Sequence, residues 1–99
     1  MTDAVAFETR HLEIIRAVLS DRIPNNRVWI FGSRAGGVPK PYSDIDLVII
    51  DPPAVAENTF ALMKLDFEES NLPFRVDVCV WSQIPTSLQQ SIQSSHVEL

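Results

Sequence analysis

A short acidic and apolar segment constrains the fold of this chain more than any other feature. Residues 44–50 read DIDLVII, and Asp51 followed by two prolines ends the run. The segment begins with alternating polar and apolar residues and ends in a continuous apolar stretch, which predicts a strand at the centre of a sheet. Its body is therefore expected in the core, while Asp44 and Asp46 occupy its polar first end.

Apolar spacing along the rest of the chain predicts three helices and two more strands. The helices are expected over residues 4–22, over residues 55–69, and from Pro85 onward through Leu88 and Ile92, with Val97 and Leu99 at the far end. The strands are expected over residues 28–31 and 74–80.

This order predicts a particular fold class. A helix, two strands, a helix, a strand and a helix suit an α/β (α+β) fold with one small mixed β-sheet flanked by helices. The sequence does not fix the direction of each strand.

Size and charge limit the function. The chain has 99 residues, of which 45% are hydrophobic, and nothing in it resembles a long linker, so we expect a single domain over residues 1–99. The formal net charge is −5 with eight basic residues, which disfavours nonspecific binding of nucleic acid.

The cellular location is predicted from cysteine content and apolar runs. A single cysteine, Cys79, excludes an internal disulfide, and no apolar run resembles a signal peptide or a membrane span. We expect a cytoplasmic protein without a membrane partner. Cys79 is interpreted as a buried, inert thiol beside the valines of its strand.

Two aspartates two residues apart on a strand project from the same face, so Asp44 and Asp46 can converge on one cation. At about 4 Å, two carboxylates repel by about 1 kcal/mol in water, and more at a protein surface. Asp77 alternates with Val76 and Val78 on the third predicted strand and is expected to add a third carboxylate. Oxygen-only ligation with phosphates in the remaining positions suits Mg²⁺.

A small-residue turn follows the first predicted strand. Its residues, 32–37, read GSRAGG. A glycine there lets phosphate approach the backbone N–H groups, the Ser33 hydroxyl can donate to a phosphate oxygen, and Arg34 can add positive charge. Gly32, Ser33 and Arg34 are therefore predicted to bind the phosphates of a nucleotide.

The combination resembles the core motif of polymerase β-type nucleotidyltransferases. Gly32-Ser33 is followed after ten residues by the Asp-x-Asp of Asp44 and Asp46, and Asp77 follows on a later strand. The turn is also similar to the Gly-Ser-x-Ala-x-Gly form of the minimal subgroup called MNT proteins. Gly36 departs from the family, in which that position is often basic.

The resemblance implies a function. It implies a polymerase β-type nucleotidyltransferase fold in which Asp44, Asp46 and Asp77 are catalytic metal ligands for Mg²⁺; whether Mn²⁺ can replace Mg²⁺ is left open by the sequence. It further implies ATP as substrate and transfer of AMP to a hydroxyl of a HEPN-domain toxin, with this chain as the antitoxin.

Other interpretations remain open from the sequence. The main alternative is a catalytically weak nucleotide-binding module that neutralises its partner by direct binding. The two first aspartates can also be solvated acids at a strand boundary, and Asp77 a solvated acid on an edge strand. Adenylylation of small-molecule antibiotics normally needs an added helical domain, for which this chain has no room.

Overall fold

The computed structural model describes residues 9–32 and 44–99. The helices are α1 (Thr9–Arg22), α2 (Glu57–Glu68) and α3 (Thr86–Ser94), and the strands are β1 (Arg27–Phe31), β2 (Ile45–Ile50), β3 (Val76–Val80) and β4 (Val97–Glu98). The predicted order of helices and strands is confirmed, with β4 as an addition. The predicted start of the first helix and the turn after Gly32 lie outside the described residues.

The four strands form one mixed sheet in the order β3-β2-β1-β4. β2 runs antiparallel to β1 and parallel to β3, and β4 pairs antiparallel with β1. Because parallel neighbours need a crossover, α2 connects β2 to β3 across one face of the sheet. The predicted fold class is confirmed, and β2 is the central strand that its apolar run predicts.

The predicted end of the last helix was wrong. α3 ends at Ser94, the backbone at Ser95 is extended (φ −155°, ψ 97°), and Val97 then pairs with Ile30 of β1. The Leu99 N–H donates to the carbonyl oxygen of Val28 at 3.0 Å. Pairing in this way satisfies backbone groups along the outer edge of β1, which a longer α3 would leave without these partners.

One face of the sheet carries the main core. Alternate residues of β1 and β2, including Ile30 and Leu47, are fully buried there against apolar residues of α1 and α2 such as Ile15 and Met63. The helices α1 and α2 also pack against each other. This face supplies most of the buried apolar surface and holds the strands in register.

The opposite face carries the remaining residues of each strand. On β1 these are Trp29 and Phe31, and on β2 they include Asp46 and the fully buried Val48. α3 lies beside this face, where Gln89 Nε2 donates to the Trp81 carbonyl oxygen at 2.8 Å. The aspartates that the sequence singles out thus lie on the face away from α1 and α2.

In the two described ranges, we find no helix that combines the length and the apolar character needed to cross a membrane.

Candidate functional site

Strand register brings the predicted acidic residues to one end of the sheet. Asp46 of β2 is the direct partner of Asp77 on the parallel strand β3. Asp44 stands two residues before Asp46, immediately ahead of β2. Since β2 and β3 run in the same direction, both begin at this end, and register partners project from the same face. Asp46 is half-buried, whereas Asp44 and Asp77 are exposed.

The three carboxylates influence one another electrostatically. Burial raises the pKa of Asp46 above its ordinary value, and the charges of Asp77 and Asp44 raise that pKa further. An ionised Asp46 is therefore unfavourable in this setting, because it is partly removed from water and faces two like charges. A cation shared by the carboxylates would offset both the cost of burying the Asp46 charge and the repulsion between like charges.

Gly32 lies directly against the central carboxylate. A Cβ built on Gly32 would stand 2.6 Å from Asp46 Oδ2, and Gly32 adopts a φ of +80°. Register explains the contact, because Phe31 is the partner of Asp46 and Gly32 follows it. The positive φ favours glycine at this position, and any Cβ would have to displace the Asp46 carboxylate. The first residue of the predicted phosphate-binding turn is thus a neighbour of the acidic site.

Asp77 also has a basic neighbour. Arg75 Nη2 lies 3.5 Å from Asp77 Oδ1, and the two side chains are 79% and 49% exposed. An exposed pair of this kind is weak, so the Asp77 carboxylate remains free to change rotamer.

The fit of a metal ion depends on the donors and on their arrangement. Across residues 9–32 and 44–99, no three or more His, Cys, Asp or Glu side chains form a ready-made metal cluster. The chemistry of the donors nevertheless fits Mg²⁺, since three carboxylates offer only oxygen. Burial, followed by the charges of Asp77 and Asp44, raises the pKa of Asp46, and a bound cation would offset this effect. To bind one ion together with Asp46, the exposed side chains of Asp44 and Asp77 would rotate towards it.

The structure leaves some predicted site residues untested. Ser33 and Arg34, predicted to bind phosphate, lie outside the described residues, as does the family departure at Gly36. The catalytic and metal-binding roles of Asp44, Asp46 and Asp77 also stay predictions, although the structure brings these residues to one end of the sheet.

Cys79 lies on a different face from the one that the sequence suggests. It was expected beside the valines, but it stands two residues after Asp77 and therefore shares the aspartate face. Its Sγ lies 3.5 Å from the Leu47 carbonyl oxygen. Burial, with a further contribution from the Asp46 charge, raises the pKa of Cys79 to about 11, so the group remains a thiol at neutral pH.

A groove next to Gly32 was not anticipated from the sequence. It has a volume of about 320 Å³ and is lined by residues of β1, of α3 and of the positions that directly follow them: Phe31, Gly32, Leu88, Ser91, Ile92 and Ser95. The two sides of the groove are more than fifty residues apart in the chain, so periodicity could not reveal it. The available signal was Phe31, an aromatic residue immediately before the glycine of the motif.

Known proteins resemble this chain in sequence. The family described as "Nucleotidyltransferase domain" matches residues 12–99. A protein of Haemophilus influenzae (strain ATCC 51907 / DSM 11121 / KW20 / Rd), named "Probable protein adenylyltransferase MntA", is 34% identical over 90 residues, which cover 91% of this chain and 79% of that protein.

Solved structures share the fold. A toxin–antitoxin crystallised with AMP-PNP superimposes with a TM-score of 0.70 at 23% identity, covering 87% of this chain and 69% of the other. A mutant of the MntA-HpeT toxin–antitoxin gives a TM-score of 0.70 at 21% identity, with the same coverage of 87% and 69%. Together with the family match over residues 12–99, these findings show that the chain belongs to the nucleotidyltransferase domain family.

Proposed function

We propose that this chain transfers AMP from ATP to a hydroxyl group of a partner protein in a Mg²⁺-dependent reaction. The observation that carries the proposal is the position of Asp46, which lies between the backbone of Gly32 and its register partner Asp77. Phosphate-binding backbone and acidic metal ligands are thereby neighbours, as phosphoryl-group chemistry requires. A relative covering 91% of this chain carries the name of a protein adenylyltransferase, which supports a protein as acceptor.

Each site residue has a role in the proposal. Asp44, Asp46 and Asp77 would hold Mg²⁺, which supplies charge neutralisation for the triphosphate and increases the acidity of the attacking hydroxyl. The backbone at Gly32 would bind phosphate oxygens together with the Ser33 hydroxyl and the Arg34 guanidinium.

The proposed reaction is a displacement at phosphorus. The acceptor oxygen forms a bond to the α-phosphorus while the bond from that phosphorus to the pyrophosphate oxygen breaks. The acceptor loses its hydroxyl proton to solvent, and pyrophosphate leaves. The products are an AMP ester of the partner and pyrophosphate, so no oxidant or reductant is needed.

The strand order suggests where the acceptor enters. Gly32 follows β1, Asp46 is on the central strand β2, and Asp77 is on β3 at the edge of the sheet. If the triphosphate lies over the β1 side, the open approach to the α-phosphorus is from the β3 side. In the described part of the chain, no strand pairs with the outer edge of β3.

The proposed partner is a HEPN-domain toxin, for which this chain acts as the antitoxin. Two structures with the same fold come from toxin–antitoxin pairs, which supports a toxin as the partner. The HEPN class rests on the resemblance of the sequence motif to MNT proteins.

The test uses ATP labelled at its α-phosphate. The protein is incubated with Mg²⁺, the labelled ATP and the protein encoded by the neighbouring gene, and transfer is compared with that of the Asp44→Asn/Asp46→Asn variant. Asp21→Asn is a matched control, because Asp21 is an exposed aspartate on α1. We expect label on the partner with wild type and with Asp21→Asn, and none with the double variant.

A second candidate function is a nucleotide-binding module that neutralises its partner by contact alone. The pairing of Asp77 with Arg75 favours it, since even a weak, exposed pair competes with a metal ion for the Asp77 carboxylate. Tight complex formation and neutralisation of the toxin without any transferred label would establish this function in place of transfer.

A further inference from the structure

We propose that the groove between Phe31 and α3 holds the nucleobase of the nucleotide, an inference that rests on the proposed nucleotidyl transfer. The groove has a volume of about 320 Å³. This lies at the lower end of the range for small-molecule sites, which suits a base better than a complete nucleotide.

The groove is continuous with the proposed phosphate site. Gly32 is one of its lining residues, and the same glycine would place a Cβ 2.6 Å from Asp46 Oδ2. Phe31, which also lines the groove, is the register partner of Asp46. A nucleotide whose phosphates contact Gly32 would therefore have this groove within reach of its base.

The lining chemistry excludes the charged part of the nucleotide. Among the described residues that line the groove, none carries a charged side chain, so beyond the Gly32 backbone it offers no cation to phosphate and no carboxylate to a metal ion. The neutral base is the part of the nucleotide that matches such a lining.

The lining is also suited to a flat heterocycle. Phe31 supplies an aromatic ring, and Leu88 and Ile92 supply aliphatic walls; Ile92 is only 2% exposed, which fixes its position. The exposed Ser91 and Ser95 place hydroxyl groups within the lining for the polar edge of a base. Stacking of a base on an aromatic side chain contributes about 1–3 kcal/mol.

Two other grooves of the described residues do not match a base in this way. A groove of about 480 Å³ beside Asp77 includes Lys64, Glu68 and Arg75, and it lies on the β3 side from which the acceptor is expected. A groove of about 300 Å³ is lined by α1, residues of the following turn, Val28 and Leu99, on the face away from Asp46.

The experiment measures equilibrium binding of ATP and of inorganic tripolyphosphate, each with Mg²⁺, by calorimetry. Ser91→Leu fills the groove from an exposed helix position with a good helix former, and Phe31→Leu removes the ring while it keeps the site apolar. Ser87→Leu is the matched control, because Ser87 is exposed on the same helix and does not line the groove. Asp46→Asn reports on the phosphate and metal site.

We expect Ser91→Leu and Phe31→Leu each to weaken ATP binding by about tenfold, in line with the loss of one stacked base contact. Their affinity for tripolyphosphate should remain at the wild-type value, which also shows that each variant is folded. Ser87→Leu should change neither affinity.

Two results overturn the base site while the proposed function stands. One is wild-type ATP affinity in both groove variants, and the other is an equal loss of ATP and tripolyphosphate binding. The failure of the proposed function is separate: Asp46→Asn would then bind ATP and tripolyphosphate as wild type does, or wild type would bind neither.

Discussion

The environment of Asp46 is unfavourable for an ionised carboxylate, yet the proposed function requires that carboxylate as a metal ligand. Burial and two neighbouring carboxylates make its ionised form unfavourable, as the raised pKa of Asp46 reflects. Gly32 leaves no room for a side chain between the backbone and this carboxylate. Conflicts of this kind are typical of functional sites, where stability is lost in exchange for chemistry.

Gly32 offers a direct test of the close approach at Asp46. We expect Gly32→Ala and Gly32→Asn both to reduce AMP transfer by about tenfold or more, since either Cβ would displace the Asp46 carboxylate. Asparagine tolerates a positive φ better than alanine, so Gly32→Asn should recover part of the melting temperature lost in Gly32→Ala. Transfer rates and thermal melts measure the two effects separately.

Transfer by Gly32→Asn at the wild-type rate would contradict this account. It would show that the Asp46 carboxylate can move without consequence, and that only the backbone conformation requires glycine.

Arg75 offers a test of the charge around Asp77. Removing this cation should strengthen Mg²⁺ binding, because Arg75 Nη2 lies 3.5 Å from Asp77 Oδ1. For an exposed pair worth up to about 1 kcal/mol, Arg75→Gln should lower the Mg²⁺ concentration for half-maximal transfer by up to about fivefold. Arg16→Gln, on an exposed position of α1, is the control for loss of a positive charge. An unchanged Mg²⁺ requirement in Arg75→Gln would show that the pair does not compete with the metal.

At the residue level, the sequence predicts some contacts and not others. Asp44 and Asp46 share a face because of simple alternation, and Asp77 joins them only through the register of β2 and β3, which the sequence does not specify. The face of Cys79 was predicted wrongly, although Cys79 is two residues after Asp77 and residues two apart on a strand share a face. The contact between Gly32 and Asp46 depends on two strands and has no sequence signal apart from the motif itself.

The C-terminal segment, α3 with β4, is held against β1 by side-chain contacts. Arg27 donates to Glu98 through Nε at 2.8 Å, which ties β4 to β1. His96 stacks on Trp29 with ring centroids 3.9 Å apart, and His96 Nδ1 lies 2.7 Å from the Ile92 carbonyl oxygen. These contacts hold the end of α3 that contributes to the groove.

The bond between Arg27 and Glu98 predicts a pH dependence of stability. Hydrogen bonds from Arg27 lower the pKa of Glu98 from 4.5 to about 2. The folded pKa is below the unfolded one, so this stabilisation is present above about pH 4.5 and is lost as the pH falls towards about 2. We expect Glu98→Gln to lower the urea midpoint slightly at neutral pH, and the difference from wild type to shrink at about pH 3.

A double-variant cycle with Arg27→Met is the control for this prediction. The pH-dependent difference should disappear when Arg27 is absent. A difference between wild type and Glu98→Gln that is independent of pH would show that the pair contributes through packing and not through charge.

At the element level, the sequence predicts helices and strands that have a strong apolar periodicity and misses the strand that has none. The apolar run of β2 and the three- and four-residue spacing of the helices predicted those elements, because burial on a central strand and on one helix face leaves a clear pattern. β4 has two residues, Val97–Glu98, too few to show any period. Its structure depends on the free edge of β1, which is a tertiary effect.

At the level of the whole molecule, the two faces of the sheet carry different groups of residues. α1 and α2 cover one face with the main apolar core, while the other face carries the carboxylates, Gly32 and the groove. Changes at the acidic site are therefore expected to leave the core intact.

Charge repulsion among the carboxylates of the acidic site is expected to destabilise the protein when no cation is bound. In the presence of a chelator, Asp46→Asn should raise the melting temperature by about 4–8 °C. One charge repulsion in water is worth about 1 kcal/mol, and a change of this size shifts the melting temperature of a small domain by that amount. Asp21→Asn should leave the melting temperature nearly unchanged, since Asp21 is exposed. A lower melting temperature for Asp46→Asn in chelator would mean that the carboxylate stabilises the fold.

The most direct test of the site is calorimetric titration of the protein with ATP, with and without Mg²⁺. The account predicts that wild type and Asp21→Asn bind ATP tightly only when Mg²⁺ is present, and that Asp46→Asn loses this dependence and most of the affinity. Equal, Mg²⁺-dependent binding by wild type and Asp46→Asn would contradict the assignment of the three aspartates and Gly32 to a metal–nucleotide site.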